Sequence, residues 1–244
     1  MLSNRPIVLS IAGLDPSAGA GILADIKTFE NNQVYGLGVA TAITYQNENQ
    51  FNGLQWIDFF TIENQLNALF DQNNIDFVKI GLIESVSLLN NICQYLRVRN
   101  NAIKIIWDPI ISSSTGFKFH NEIDKKEFKK AMGTIYLTTP NIDEAKMLFG
   151  DEVEINNNGN IYIKGGHSRG GLIKDTLYFD GDKYEFRSSR IQDGEKHGSG
   201  CVLSSAITSN LAKGQNLVDA CKNARDYTIS FLKSNSTLLG YHAN

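Results

Sequence analysis

Cysteine is scarce in this 244-residue chain: Cys93, Cys201 and Cys221 stand far apart, with no CxxC pair among them. That spacing excludes a disulfide framework and argues against a zinc site. Only four prolines are present, and no Pro/Ser-rich stretch, repeat or low-complexity segment divides the chain. A single domain spanning 1–244 is therefore expected. No block of Lys and Arg interrupts a mildly negative balance of 23 basic against 26 acidic residues, which removes the footprint of a nucleic-acid surface. No apolar run reaches membrane length either. The run IVLSIAG, preceded by a single arginine, is too short for a signal h-region or a span, so the expected setting is cytoplasmic, with neither membrane nor nucleic acid as partner. Hydrophobic residues make up 42%, enough to fill a sizeable core.

Short β-branched runs alternate with helical patterns. Strands are expected at 7–13, 37–46, 76–83, 102–109 and 134–141. Helices are expected at 19–32 (Ile22, Ile26 and Phe29 on one face), 61–73, 85–98, 126–132 and 141–150. Thr61 reads as the cap of the second helix, with Asn64 as a weak capping-box partner, and Gly150 closes the fifth. EINNNG (154–159) reads as a loop. Strand-like segments follow at 160–167 and 172–179, with DGD turning the second into KYEF as a hairpin; 201–214 and 216–233 read as two final helices. Repeated βα units of this length imply an α/β domain built on a mainly parallel, doubly wound sheet with a small antiparallel addition.

Ligands in such sheets sit beyond the carboxyl ends of the strands, and the unusual residues all fall there. AGLDPSAGAG (12–21) leaves backbone N–H groups bare at a helix start: either an approach for a ligand or a tight βα turn. Asp25 follows, readable as a surface acid at a helix N-terminus. Thr44 and Gln46 end the second strand; an amide there suits the edge of a heterocycle or a loop backbone. Leu82, in KIGLIES, either walls a ring pocket or packs in the core. Asp108 ends the fourth strand. Asn141 and Glu144 follow the fifth, as phosphate and Mg²⁺ contacts or as a capping box. Lys164 precedes two glycines, as a phosphate contact or a solvated charge. HGSGC (197–201) gives Gly198, Ser199 and Gly200 as donors at a helix start, where the dipole should lower the pKa of the Cys201 thiol. His197 is a candidate partner for that thiol or a loop residue away from the ligand.

Together AGLDPSAGAGILADIKTF, TAITYQN, KIGLIES, WDPIISSSTG, TPNIDEA, IKGGH and HGSGCVLSSAI, in that order over most of the chain, resemble the hydroxymethylpyrimidine/phosphomethylpyrimidine kinases of the ribokinase-like superfamily. The resemblance implies a three-layer α/β/α sandwich. It also implies ATP- and Mg²⁺-dependent phosphorylation of a small aminopyrimidine alcohol and then of its monophosphate, and it is compatible with a homodimer. It assigns Gly13, Asp25, Thr44, Gln46 and Leu82 to the pyrimidine, Leu82 standing where the family usually has methionine. Asp108 and Glu144 fall to the metal, and Asn141 and Lys164 to the nucleotide. Gly198, Ser199 and Gly200 form the anion hole, Ser199 replacing a usual threonine. Cys201 stands in place of the superfamily's aspartate base, as a thiolate accepting the hydroxyl proton. Alternatives are a pyridoxal/pyridoxine kinase, whose preferring members lack the glutamine at position 46, and a non-catalytic pyrimidine-binding protein.

Overall fold

IVLSIAGL forms β1 (Ile7–Leu14) and buries all but its two end residues, which requires strands on both sides and helices on both faces. A computed structural model supplies both; it describes residues 5–113, 116–120, 122–150, 159–166, 171–192 and 194–242. After β1 come α1 (Gly21–Asn31), β2 (Tyr35–Gln46), β3 (Phe51–Trp56), α2 (Phe59–Phe70), β4 (Phe77–Ile80) and α3 (Val86–Arg99). β5 (Lys104–Trp107), α4 (Lys125–Met132), β6 (Leu137–Thr138), α5 (Ile142–Phe149) and β7 (Asn160–Ile163) follow. The chain ends with β8 (Leu172–Phe179), β9 (Asp182–Ser189), α6 (Ser199–Ala212) and α7 (Leu217–Leu232).

All these strands form one sheet in the order β3-β2-β1-β4-β5-β6-β7-β8-β9. The stretch from β2 to β7 is parallel; β3 at one edge, and β8 and β9 at the other, run antiparallel to their neighbours. One face packs Leu9, Ile11, Val78, Ile80 and Ile105 on Ile62, Leu66, Leu89 and Ile92 from α2 and α3. The other packs Ile106, Leu137 and Tyr162 on α6 and α7, with Val8 against Phe29 of α1. This is the expected three-layer α/β/α sandwich. Chain order reverses between β1 and β4, so a crevice opens outside their carboxyl ends. Among the described residues no helix is long and apolar enough to cross a membrane.

Several local readings change. β3 was not anticipated: FNGLQW lacks a strand-like apolar run and is held by antiparallel pairing with β2, with a register shift at Tyr45/Gln46. α2 is capped by Asp58, whose carboxylate accepts from Thr61 N at 2.8 Å, so Thr61 lies inside the first turn and is not the cap. The expected strand 134–141 shrinks to Leu137–Thr138, the register ending before Pro140. The capping box of α5 forms as read, Asn141 Oδ1 accepting from Glu144 N and Glu144 Oε2 from Asn141 N. The EINNNG loop falls almost wholly outside the described residues, as does the end of the 160–167 segment.

Candidate active site

A cleft of about 710 Å³ opens at the carboxyl edge of the sheet, within the usual range for a small-molecule site. Twelve of the thirteen residues expected there line it; Asp25 alone does not. One end is shaped for a ring. Gly13 ends the β1 wall with no side chain; a Cβ there would lie 3.1 Å from Leu82 Cδ2 and 3.7 Å from Thr44 Cγ2. Thr44 turns its hydroxyl to the Leu14 carbonyl at 2.9 Å and so presents its methyl side to this slot. Gln46 sits beside the register shift that ends β2, where the strand bends and re-aims its amide.

The other end carries charge. Lys164 donates to Asp108 Oδ1 at 2.7 Å and stands 3.9 Å from Glu144 Oε2. Thr139 and Ser204 hydroxyls complete the shell of Asp108, at 3.1 and 3.3 Å. Lys164 is therefore no solvated surface charge. Burial alone would raise the Asp108 pKa, but the Lys164 and Lys79 charges outweigh it and hold the carboxyl below its usual value. Glu144 goes the other way: burial dominates, and its pKa is raised despite Lys164. Burial pulls Lys164 down, and the two carboxylates more than restore it, so it stays an ammonium. Asp175 fixes the Lys164 loop from behind, accepting from Gly165 N at 2.7 Å, Tyr162 Oη at 2.9 Å and Arg225 Nε at 2.8 Å.

Between the two ends stands the first turn of α6. Its cap, Gly198, has φ +74° and no side chain to cap with; Ser199 N makes a long 3.5 Å bond to Lys196 O, and the next N–H groups, of Gly200 and Cys201, are left for the cleft these residues line. The turn leaves no room for a side chain at Gly198, where a Cβ would fall 2.0 Å from Gly19 O, and little at Gly200, where one would lie 3.2 Å from the flexible end of Lys164. The two glycine-rich loops are locked together by a pair that the sequence reading missed. His197 Nε2 lies 2.8 Å from Asp15 Oδ2, and Asp15 also accepts from Ser17 and Ala20 N. Burial raises the Asp15 pKa, and the bonds from His197 and Ser17 bring it below the usual carboxylate value. His197 is thus buried in the wall of the cleft and bonded to Asp15.

Two further expectations are corrected. The Cys201 thiol is not acidified: burial pushes it up to about 11 although the Lys79 charge and a bond from Gly21 pull it down. A helix terminus contributes at most about 2 kcal/mol toward an anion, about one and a half pKa units, so full burial wins. Asp25 is not a surface acid. It is 0% exposed beneath the cleft, paired at 2.8 Å with Lys79, also 0% exposed. Lys79 was passed over in the sequence, where a single Lys inside FVKIGLI was the only sign of it. Burial lowers the Lys79 pKa, and Asp25, Cys201 and Asp108 together hold it above the ordinary lysine value.

The chemistry of the charged end fits Mg²⁺. Two carboxylates share one lysine there, one of them held protonation-prone by burial, so a further cation would relieve the site. Among the described residues no group of three His, Cys, Asp or Glu forms a cage. A cation bound here takes most ligands from water and phosphate, the usual habit of Mg²⁺.

Comparison with known proteins identifies the family and the fold. The family model described as phosphomethylpyrimidine kinase matches residues 15–244. The hydroxymethylpyrimidine/phosphomethylpyrimidine kinase of Aquifex aeolicus is 33% identical, over 95% of this chain and 96% of that protein. The crystal structure of phosphomethylpyrimidine kinase from Clostridium difficile superposes with a TM-score of 0.77 at 32% identity, covering 92% of this chain and 98% of that one. Pyridoxal kinase from Staphylococcus aureus, in complex with AMP-PCP and pyridoxal, superposes with a TM-score of 0.85 at 25% identity, covering 99% and 94%.

Proposed function

The chain belongs to the phosphomethylpyrimidine kinase family, and on that premise we propose how its cleft carries out the reaction. The enzyme is an ATP-dependent kinase that phosphorylates 4-amino-5-hydroxymethyl-2-methylpyrimidine and then its monophosphate, a step pair of thiamine biosynthesis. One observation carries the assignment of roles: an amide-edged ring slot and a lysine-carboxylate end meet at the uncapped first turn of α6.

In this reading Gln46 pairs with the edge of the aminopyrimidine, and Gly13, the Thr44 methyl and Leu82 enclose its faces. Lys164 and the Asn141 region hold the nucleotide phosphates. Asp108 and Glu144 hold Mg²⁺, which when bound supplies charge neutralisation for the phosphates. The N–H groups of Gly200 and Cys201 face the transferred phosphoryl oxygens, and Ser199 N joins them by giving up its long bond to Lys196 O. The substrate hydroxyl oxygen attacks the γ-phosphorus as the bond to the β–γ bridging oxygen breaks. Such transfers are loose and need little base assistance. Because the Cys201 thiol is neutral, it positions the hydroxyl and the proton leaves late, to a phosphoryl oxygen. Asp25 reaches no substrate in this arrangement.

The TM-score with pyridoxal kinase keeps one rival in play, a ring alcohol of similar size. ATP consumption measured separately with hydroxymethylpyrimidine, its monophosphate and pyridoxal decides it. Turnover of both pyrimidines with pyridoxal at least tenfold poorer in kcat/KM is expected. Pyridoxal as the better substrate overturns the pyrimidine assignment, and no turnover of any ring overturns the kinase one.

A further inference from the structure

The Asp25 carboxylate gathers contacts from three other elements of the fold. It accepts from Ser10 Oγ of β1 at 2.5 Å, from Lys79 Nζ of β4 at 2.8 and 3.0 Å, and from Ser205 Oγ of α6 at 2.7 Å, while itself belonging to α1. All four residues are 0% exposed. Each stands one step below a residue at the floor or wall of the cleft on the same segment. Ser10 is three residues before Gly13, Lys79 three before Leu82, and Asp25 and Ser205 one helical turn after Gly21 and Cys201. Gly81 belongs to the same arrangement, because a Cβ there would lie 2.9 Å from Lys79 Nζ.

We propose that the Asp25–Lys79 pair is a positioning node that sets the separation between the ring slot and the phosphoryl-binding turn of α6. Neither residue touches substrate. The ring slot is built on β1 and β4, and the transfer turn on α6; the Asp25 carboxylate ties the three together at a common depth. A buried lysine and two hydroxyls on one carboxylate add a directional constraint between the layers that non-directional apolar packing lacks. A displacement of about 1 Å between reacting groups costs about a hundredfold in rate, so a rigid tie at this point acts on kcat. The inference rests on the kinase reading above and deepens it.

Removing either charge alone leaves the other buried and unpaired, so a single variant confounds folding with catalysis. The deciding variant is therefore Lys79→Met/Asp25→Leu, which replaces the pair with apolar groups of similar bulk. Expected is a urea midpoint above that of either single variant, short of wild type because the Ser10 and Ser205 hydroxyls lose their acceptor, with kcat for the hydroxymethylpyrimidine reduced about a hundredfold and KM for ATP within twofold. A double variant that folds with wild-type kcat overturns the proposal, as does one whose kcat loss equals its unfolded fraction. Should that variant not fold, Ser205→Ala decides, since it cuts only the tie to α6: kcat reduced severalfold, measured well below the variant's own melting temperature, supports the node, and unchanged kcat overturns it. The wild-type enzyme is assayed in parallel with pyridoxal. If pyridoxal is the true acceptor, the pyrimidine assignment fails, and the node is judged by the same kcat loss on that ring.

Discussion

Two lysine–aspartate pairs close at nearly the same distance, 2.8 Å for Lys79–Asp25 and 2.7 Å for Lys164–Asp108. The first pair is 0% exposed on both sides; in the second, the lysine side chain keeps 16% exposure and the aspartate 2%. The sealed pair has every acceptor filled by protein donors and no path to the cleft. The open pair lines the cleft, with Glu144 at its side. A sealed pair can only hold geometry, whereas an open one can trade its internal partner for phosphate or metal. Burial, and not charge or distance, separates the two pairs.

The comparison breaks most visibly at Lys79. Lys79→Met should cost about 3–5 kcal/mol of folding stability, because Asp25 is left charged with no water to reach it. Urea denaturation checks this, and a midpoint near wild type contradicts the sealed-pair reading. Lys164→Met should invert the pattern. Its carboxylate partners border the cleft and can be hydrated, so the urea midpoint should move far less than for Lys79→Met. The rate should instead fall about 10²–10³-fold, as for loss of one donor to a developing oxyanion.

That inversion also marks what could be read without a structure. Gln46, Asn141, Glu144, Lys164 and the HGSGC turn were all legible, because each is announced by a local pattern: a polar residue at a strand end, an N-x-x-E box, a glycine-rich helix start. The sealed pair is not local. Asp25 and Lys79 are 54 residues apart, and Asp15 and His197 182 apart, so no window contains both partners. The order of the layers followed from the βα alternation, while β3 did not, since its pairing with β2 and not its composition makes it a strand.

Glycine offers a smaller version of the same contrast at the two ends of α6. Gly198 (φ +74°) precedes the helix and Gly214 (φ +86°) follows it. Alanine at Gly214 meets nothing within 4 Å and should cost about 1 kcal/mol for the left-handed backbone alone, with kcat unchanged. Alanine at Gly198 carries the same backbone cost and also meets Gly19 O at 2.0 Å, so the two loops must part. Its melting temperature should fall further than that of Gly214→Ala, and kcat should drop at least tenfold, since a donor turn displaced by a fraction of an ångström loses much of its effect. Equal behaviour of the two variants would separate the first turn of α6 from catalysis.

The smallest effect is expected at Cys201, which lies between the sealed pair and the open one. Were a thiolate the base, the rate of the first phosphorylation would rise tenfold per pH unit below the thiol pKa of about 11, about a hundredfold between pH 7 and 9. With the thiol neutral, that rate should stay flat across the interval. Cys201→Ala should slow the hydroxyl phosphorylation by less than about tenfold, well under what a general base contributes, and leave the monophosphate step nearly untouched. Equal losses in both steps contradict this. Stability carries the same signature. The folded-state pKa is raised, so the contribution is complete below the ordinary thiol value of 9.0 and is lost as pH climbs through about 11, where the unfolded chain has already released its proton. Cys93, also pushed up to about 11 by burial, adds to that loss in both proteins and cancels in the difference. Between pH 8 and 10.5 the wild type should therefore lose more stability to urea than Cys201→Ala does. Parallel losses would place the thiol in water rather than in the wall of the site.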